Sequence, residues 1–262
     1  MLANYHTHTY RCHHASGTDE EYIQKAIAEG VKILGFSDHA PYIYPGGFVS
    51  YYKMEPSEAH EYYSSISSLR EKYSGQIEIY IGYEAEYYPE LWDKTLEFWK
   101  SADTPEYLIL GQHFASAEYI SVEEGRHHST LGTDNPALLK SYTDLVTDGI
   151  KTKKFSYVAH PDVFNFYGDA DVYREEVTRL VKVANEYNTP LEINILGLST
   201  KRHYPNPLFW ETASTLNPRV IIGCDAHDPK NVAEPDSVSS ALRFADKYKL
   251  NVIESLELVN PF

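Results

Sequence analysis

The stretch RVIIGCDAH, residues 219–227, reads as a buried strand that ends in two chemically capable side chains, Asp225 and His227. Side chains at i and i+2 share one face of a strand, so these two point together while Cys224 and Ala226 point the other way. Cys224 is therefore read as a packing residue. Six further apolar runs end in the same manner. MLANYHTH (1–8) ends at His6 and His8, again i and i+2, and VKILGFSDH (31–39) ends at Asp38 and His39. IEIYIGYEAE (77–86) carries Glu84, EYLILGQHF (106–114) carries His113, FSYVAHP (155–161) carries His160, and PLEINIL (190–196) carries Asn194.

Between and after these runs lie seven helical stretches, expected to start near Asp19, Ser57, Pro89, Asn135, Tyr173, Asn206 and Ala233. Thr18 with Glu21 reads as a capping box, and Asn135-Pro136 and Asn206-Pro207 read as N-caps followed by proline. Gly30, Gly75 and Gly149 fall near expected helix ends, where a left-handed residue is wanted. Strand and helix alternating seven times demand a parallel sheet with right-handed crossovers, either open or closed into a barrel. An open sheet gathers its site at one switch point, whereas a barrel draws on the C-terminal ends of all its strands. Reactive residues at seven successive strand ends predict a distorted, TIM-like (β/α)7 barrel of the α/β class with its site at those ends.

Composition limits the function. The 262 residues suffice for one barrel-sized domain, expected to span 1–262, and the net charge of −15 argues against nucleic acid as the main partner. Two cysteines are too few for a disulfide scaffold. With no charged-then-apolar leader and no long apolar run, a soluble cytoplasmic protein is expected, without membrane association. The oligomeric state is not legible. Residues 116–134 form the longest polar insertion and are expected to cover the site. Imidazoles and carboxylates converging from several strand ends suit zinc, iron or manganese, and a carboxylate such as Glu84 can bridge two ions.

HTH at 6–8, SDH at 37–39, GYEAE at 82–86, GQHF at 111–114, VAHPD at 158–162 and GCDAHDP at 223–229 together resemble the polymerase-and-histidinol-phosphatase (PHP) superfamily. HASGT at 14–18 and LEINILGLSTKR at 191–202 are similar to its stand-alone histidinol-phosphate phosphatases. The resemblance implies three divalent ions. One would take His6, His8, Glu84 and Asp225; a second would share Glu84 and take His113 and His160; the third would take His14, His39 and His227. It further implies hydrolysis of L-histidinol phosphate in histidine biosynthesis by attack of a metal-bridging hydroxide on phosphorus, with Glu84, Asp225 and His227 at the reaction centre. Two other readings stand beside it: a PHP-type phosphoesterase for another small phosphate ester or nucleotide, and a metal-binding scaffold without catalysis.

Several residues carry expectations of their own. Three divalent ions would concentrate positive charge in one pocket of an acidic chain, so a phosphate ester remains a compatible partner. Arg202 is the first choice for a phosphate clamp, with His203 beside it and Arg126 as a weaker candidate. Asp38 is expected to fix the tautomer of a ligating histidine, and Asn194 to support the ligands. His13 is read as a bystander, His127 and His128 as solvated residues of the insertion, and His60 as surface. The tyrosines of APYIYPGGF (40–48) and YYP (87–89) are the nearest candidates for holding the organic part of a substrate, against an ordinary packing role.

Overall fold

A computed structural model describes residues 1–262. The apolar runs form a parallel sheet whose strands follow sequence order: β1 (Ala3–Asn4), β2 (Ile33–His39), β3 (Glu78–Ala85), β4 (Tyr107–Leu110), β5 (Tyr157–Val158), β6 (Leu191–Asn194), β7 (Arg219–Gly223) and β8 (Asn251–Val252). Every pairing is parallel. The seven expected strands are present; β8 is an addition, a two-residue strand that pairs with the start of β7 at Arg219 and Val220. Beyond the ends of β1 and β7, an isolated parallel bridge between Thr7 and Ala226 joins the segment after the first strand to the segment after the seventh. The His8 amide donates to the Ala226 carbonyl at 3.0 Å, and the Cys224 amide to the Asn4 side chain at 2.9 Å. The sheet is thus curled into a distorted TIM-like barrel.

Eight α-helices cover it: α1 (Asp19–Ala28), α2 (Ala59–Lys72), α3 (Trp92–Ala102), α4 (Pro136–Lys151), α5 (Ala170–Glu186), α6 (Ile195–Ser199), α7 (Pro207–Ser214) and α8 (Pro235–Lys247). Asn135 and Asn206 cap α4 and α7 as expected. The short α6 was not anticipated. PLEINIL leaves its strand at Asn194, whose side chain caps the new helix by accepting from the Gly197 amide at 2.9 Å. Gly30 and Gly75 adopt positive φ, but Gly149 lies inside α4, where Lys153 takes the left-handed position beyond the helix end. Gly149 is needed for proximity instead: a Cβ there would meet Leu110 of β4 at 2.9 Å.

The capping box of α1 is complete. The Glu21 amide donates to Thr18 Oγ1 at 3.3 Å and the Thr18 amide to Glu21 Oε2 at 2.7 Å. Replacing Thr18 with alanine is expected to cost about 1 kcal/mol, seen as a fall of about 2–4 °C in thermal melts followed by circular dichroism; an unchanged melt would remove the cap from the account.

Two cores flank the sheet. The outer one packs helices on strands, and an inner one of Ala3, Tyr5, Tyr107, Ile109, Tyr157, Ala159 and Ile221 fills the barrel. Tyr107 lies over Gly35 and Gly82, and its hydroxyl donates to the carbonyls of Tyr5 and Phe36 at 2.9 and 3.0 Å. This plug is the floor beneath the C-terminal strand ends. No helix is long and apolar enough to cross a membrane.

Candidate metal centre

Register alone brings the first partners together: β2 pairs with β3 from Ile33↔Glu78 to His39↔Glu84, so the two residues end side by side. Glu84 is buried and central. Its Oε2 lies 2.9 Å from His39 Nδ1 and 3.6 Å from His8 Nε2; its Oε1 lies 2.7 Å from His160 Nε2, 3.5 Å from His6 Nε2 and 3.7 Å from His113 Nε2. Asp225 Oδ1 faces His8 Nε2 at 3.1 Å, His227 Nδ1 at 3.3 Å and His6 Nε2 at 3.5 Å. At the outer edge, His14 and His227 turn their Nε2 atoms toward each other at 3.0 Å, each with Nδ1 near a backbone carbonyl, Cys12 and Asp225 respectively. All nine expected ligands therefore converge.

The grouping follows part of the expected partition and adds to it. His6, His8 and Glu84 gather as expected, as do His14, His39 and His227, while His39 also closes a group with Glu84 and His113, and His160 joins His6 and Asp225. The Cys12 thiol approaches His8 and His227, a neighbour the sequence did not suggest.

These donors fit divalent cations. His6 Nε2, His8 Nε2 and Glu84 Oε2 are buried without hydrogen-bond partners, an arrangement that is costly unless something else satisfies them. A tetrahedral zinc with bonds of about 2.0–2.1 Å keeps its ligands about 3.3 Å apart, and the carboxylate–imidazole separations above, 2.7 to 3.7 Å, bracket that spacing. His160 and Asp225 adopt φ of 27° and 51°, strained values for residues with side chains and typical of functional positions.

Electrostatics divide the histidines. Burial disfavours charge on His6, yet Glu192, Asp225 and Glu84 outweigh it and push the imidazole up to about 10. Burial likewise opposes charge on His8, and the adjacent Asp225 and Asp38 carboxylates raise it well above its ordinary value. His39 is held well below by burial despite Glu84, and His227 is pushed down to about 3 by burial and the charge on His8. Burial would raise Asp225, but His6 and His8 keep it well below the usual carboxylate range.

The supporting residues are partly those expected. Asp38 Oδ1 sits 3.3 Å from His8 Nδ1 and accepts from the His39 amide at 2.8 Å. Asn194 Nδ2 donates to Asp225 Oδ2 at 3.0 Å and to Glu192 Oε2 at 2.9 Å. Glu192 itself was missed. Fully buried, it places Oε1 2.8 Å from His6 Nδ1 and accepts from the His160 amide at 2.9 Å, so it is to His6 what Asp38 is to His8. Its position two residues before Asn194 in the same strand was the signal.

Above the donors opens a cavity of about 590 Å³. Arg202, His203 and Tyr204 line one wall, and Tyr52, Phe114 and His128 are among the other lining residues. Arg202 is exposed, donates to the Tyr204 hydroxyl at 2.9 Å and has no carboxylate partner. His203 Nε2 lies 2.7 Å from the Val163 carbonyl oxygen. Arg126 does not reach the cavity; it contacts the Glu118 carbonyl at 3.4 Å within the insertion. His128 departs from its solvated reading. An antiparallel bridge between Phe114 and His128 folds the insertion back, placing its ring 6.3 Å from that of His113, and burial lowers it to about 4. His127 stays outside, His60 is a surface residue beside Asp103, and His13 lies in the loop 3.9 Å from Glu58. Tyr42, Tyr44 and Tyr88 pack among themselves as core; the tyrosine at the rim is Tyr52, 6.2 Å from the His14 ring.

Comparison with known proteins places these features in context. Residues 4–195 match the family profile of the PHP domain. A probable histidinol-phosphatase of Deinococcus radiodurans is 26% identical over 256 residues, covering 95% of this chain and 92% of that protein. A histidinol-phosphatase of Bacillus subtilis is 29% identical over 257 residues, covering 87% of this chain and 94% of that protein. Among solved structures, the histidinol phosphate phosphatase of Lactococcus lactis, complexed with zinc, L-histidinol and phosphate, shares the fold with a TM-score of 0.71 at 19% identity, over 98% of this chain and 97% of that one.

Proposed function

Since the chain belongs to the PHP domain family, we propose that it is a metal-dependent phosphomonoesterase that hydrolyses L-histidinol phosphate to L-histidinol and phosphate, with residues 1–262 acting as one catalytic unit. The observation that carries this reading is the meeting of nine donors, eight of them buried or half-buried and His14 exposed at the outer edge, beneath a cavity whose wall presents an arginine free of any carboxylate. His6, His8, His14, His39, Glu84, His113, His160, Asp225 and His227 would hold the ions. Divalent cations bound there supply positive charge for the phosphoryl oxygens and activate water for in-line attack.

The chain's own residues do the rest. Glu192 and Asp38 hold the rings of His6 and His8 by their Nδ1 atoms, leaving both Nε2 atoms directed at the carboxylates. Asn194 orients Asp225 by donating to its Oδ2. Arg202, braced by Tyr204, binds the phosphate from the open side. Tyr52, Phe114 and His128 form the part of the cavity that receives the organic group and limit the water that enters with it.

The test is elemental analysis of protein purified without added metal, followed by a panel of phosphate esters. We expect about three divalent ions per chain, loss of activity on chelation, and a kcat/KM for histidinol phosphate about 100-fold above that for glycerol phosphate, nucleoside monophosphates or p-nitrophenyl phosphate. Comparable rates across the panel would point to a general phosphoesterase, and bound metal with no turnover to a scaffold. Arg202→Ala is expected to raise KM about 10- to 100-fold with a smaller change in kcat, since a hydrogen bond to a charged group is worth about 1.5–3 kcal/mol; an unaltered KM would remove Arg202 from the phosphate site.

A further inference from the structure

We infer that Glu86, held by Lys53, which Glu118 anchors in turn, is the positioning residue that fixes the tautomer of His113 and aims its Nε2 at Glu84. Glu84 and Glu86 stand two residues apart at the end of β3 and share a face, but their surroundings differ. Glu84 meets imidazoles, whereas Glu86 Oε1 lies 2.7 Å from the Lys53 ammonium and 3.5 Å from His113 Nδ1. Lys53 also pairs with Glu118, whose oxygens accept from the Ser50 hydroxyl at 2.6 Å and the Tyr44 hydroxyl at 2.8 Å. The three groups come from three successive segments that follow β2, β3 and β4, and they are only 4%, 1% and 2% exposed. Buried ion clusters add little net stability compared with apolar packing, so the main consequence of this one is geometric.

That consequence falls on His113. Its ring sits between the two glutamates, Nδ1 toward Glu86 and Nε2 3.7 Å from Glu84 Oε1. A carboxylate beside Nδ1 draws the ring proton there and leaves the Nε2 lone pair facing the donors of Glu84 and His39, the pattern by which ligating histidines are generally oriented. Glu86 thereby does for His113 what Glu192 does for His6, with the difference that its own position depends on Lys53 at Oε1, which Glu118 anchors, and on the Tyr88 hydroxyl, which donates to Oε2 at 2.5 Å.

This inference rests on the reading that Glu84 and His113 hold a cation, and its test needs no substrate. Zinc affinity is measured by chelator competition, and the visible spectrum of the cobalt-loaded protein is recorded, for wild type, Glu86→Gln, Lys53→Met and Lys53→Arg. Glu86→Gln and Lys53→Met are expected to weaken the affected zinc site about 10- to 100-fold and to shift the cobalt bands, while Lys53→Arg stays near wild type. Affinities and spectra unchanged in Glu86→Gln would overturn the inference. Should the variants fail to fold, nitrogen-15 spectra of histidine-labelled, zinc-loaded wild type decide the matter, with the His113 signal assigned by its loss in His113→Asn. A proton on Nδ1 supports the inference and a proton on Nε2 overturns it. Zinc binding that behaves as expected in a protein inactive on histidinol phosphate would refute the proposed substrate and leave this role intact.

Discussion

Glutamine in place of Glu84 is expected to lower kcat/KM by roughly 10²- to 10⁴-fold and to leave the purified chain short of metal. The side chain changes little in size, so the cavity and the inner core stay filled. What changes is the chemistry offered to His6, His8, His39, His113 and His160, all of which have a ring nitrogen within 2.7 to 3.7 Å of the carboxylate. A carboxamide is a poor ligand for two ions at once, and its NH2 group points a donor where a cation belongs. Removing one partner from a buried charged cluster costs about 3–5 kcal/mol, and about 1.4 kcal/mol corresponds to a factor of ten in rate. Elemental analysis and steady-state kinetics on the same preparation check both halves. A variant with a full metal complement and turnover within tenfold of wild type would show that Glu84 is not shared between sites.

Alanine at Gly223 is expected to weaken metal binding about 10- to 100-fold although the residue carries no side chain and touches no ligand directly. A Cβ there would lie 1.8 Å from Glu192 Oε1 and 2.6 Å from its Cδ. Glu192 cannot swing aside cheaply, because it is held by His6 Nδ1 at 2.8 Å, the His160 amide at 2.9 Å and Asn194 Nδ2 at 2.9 Å. Overpacking of this kind costs about 1–3 kcal/mol, and relief comes only by releasing His6. The effect should be non-additive with Glu192→Gln, since both changes act on one interaction. If the double variant binds zinc more weakly than either single variant by the product of their separate losses, the two residues act independently and the cradle explanation fails.

What the sequence made legible was local and periodic. Pairs such as His6 with His8 and Asp225 with His227 show their common orientation through spacing alone; the alternation of strands and helices dictated a parallel sheet, and reactive residues at successive strand ends pointed to its closure into a barrel. Asp38 declared itself by standing next to His39. Glu192 shared the face of Asn194 but sat among apolar neighbours, where a buried glutamate is hard to foresee until its imidazole partner is known to lie across the barrel. α6 was hidden because INILGLS is apolar under either period. β8 was hidden because two residues cannot show alternation. The packing of Lys53 against Glu118 joins separate loops, and the return of His128 to His113 folds one long loop on itself; no spacing rule exists for either contact.

The seam between the segments that follow β1 and β7 has a thermodynamic consequence. It joins Asn4 to Cys224, 220 positions apart, with His6 and His8 on one side and Asp225 and His227 on the other. An ion held by both sides is a cross-link that makes nearly the whole chain a closed loop. In the chain-entropy account, a tie across a loop of that length removes about 5 kcal/mol of freedom from the unfolded ensemble. Heat must then overcome a chain that is effectively circular, whereas a chelator cuts the circle, so sequestering the metal should free the amino-terminal strand at temperatures where the loaded protein remains shut.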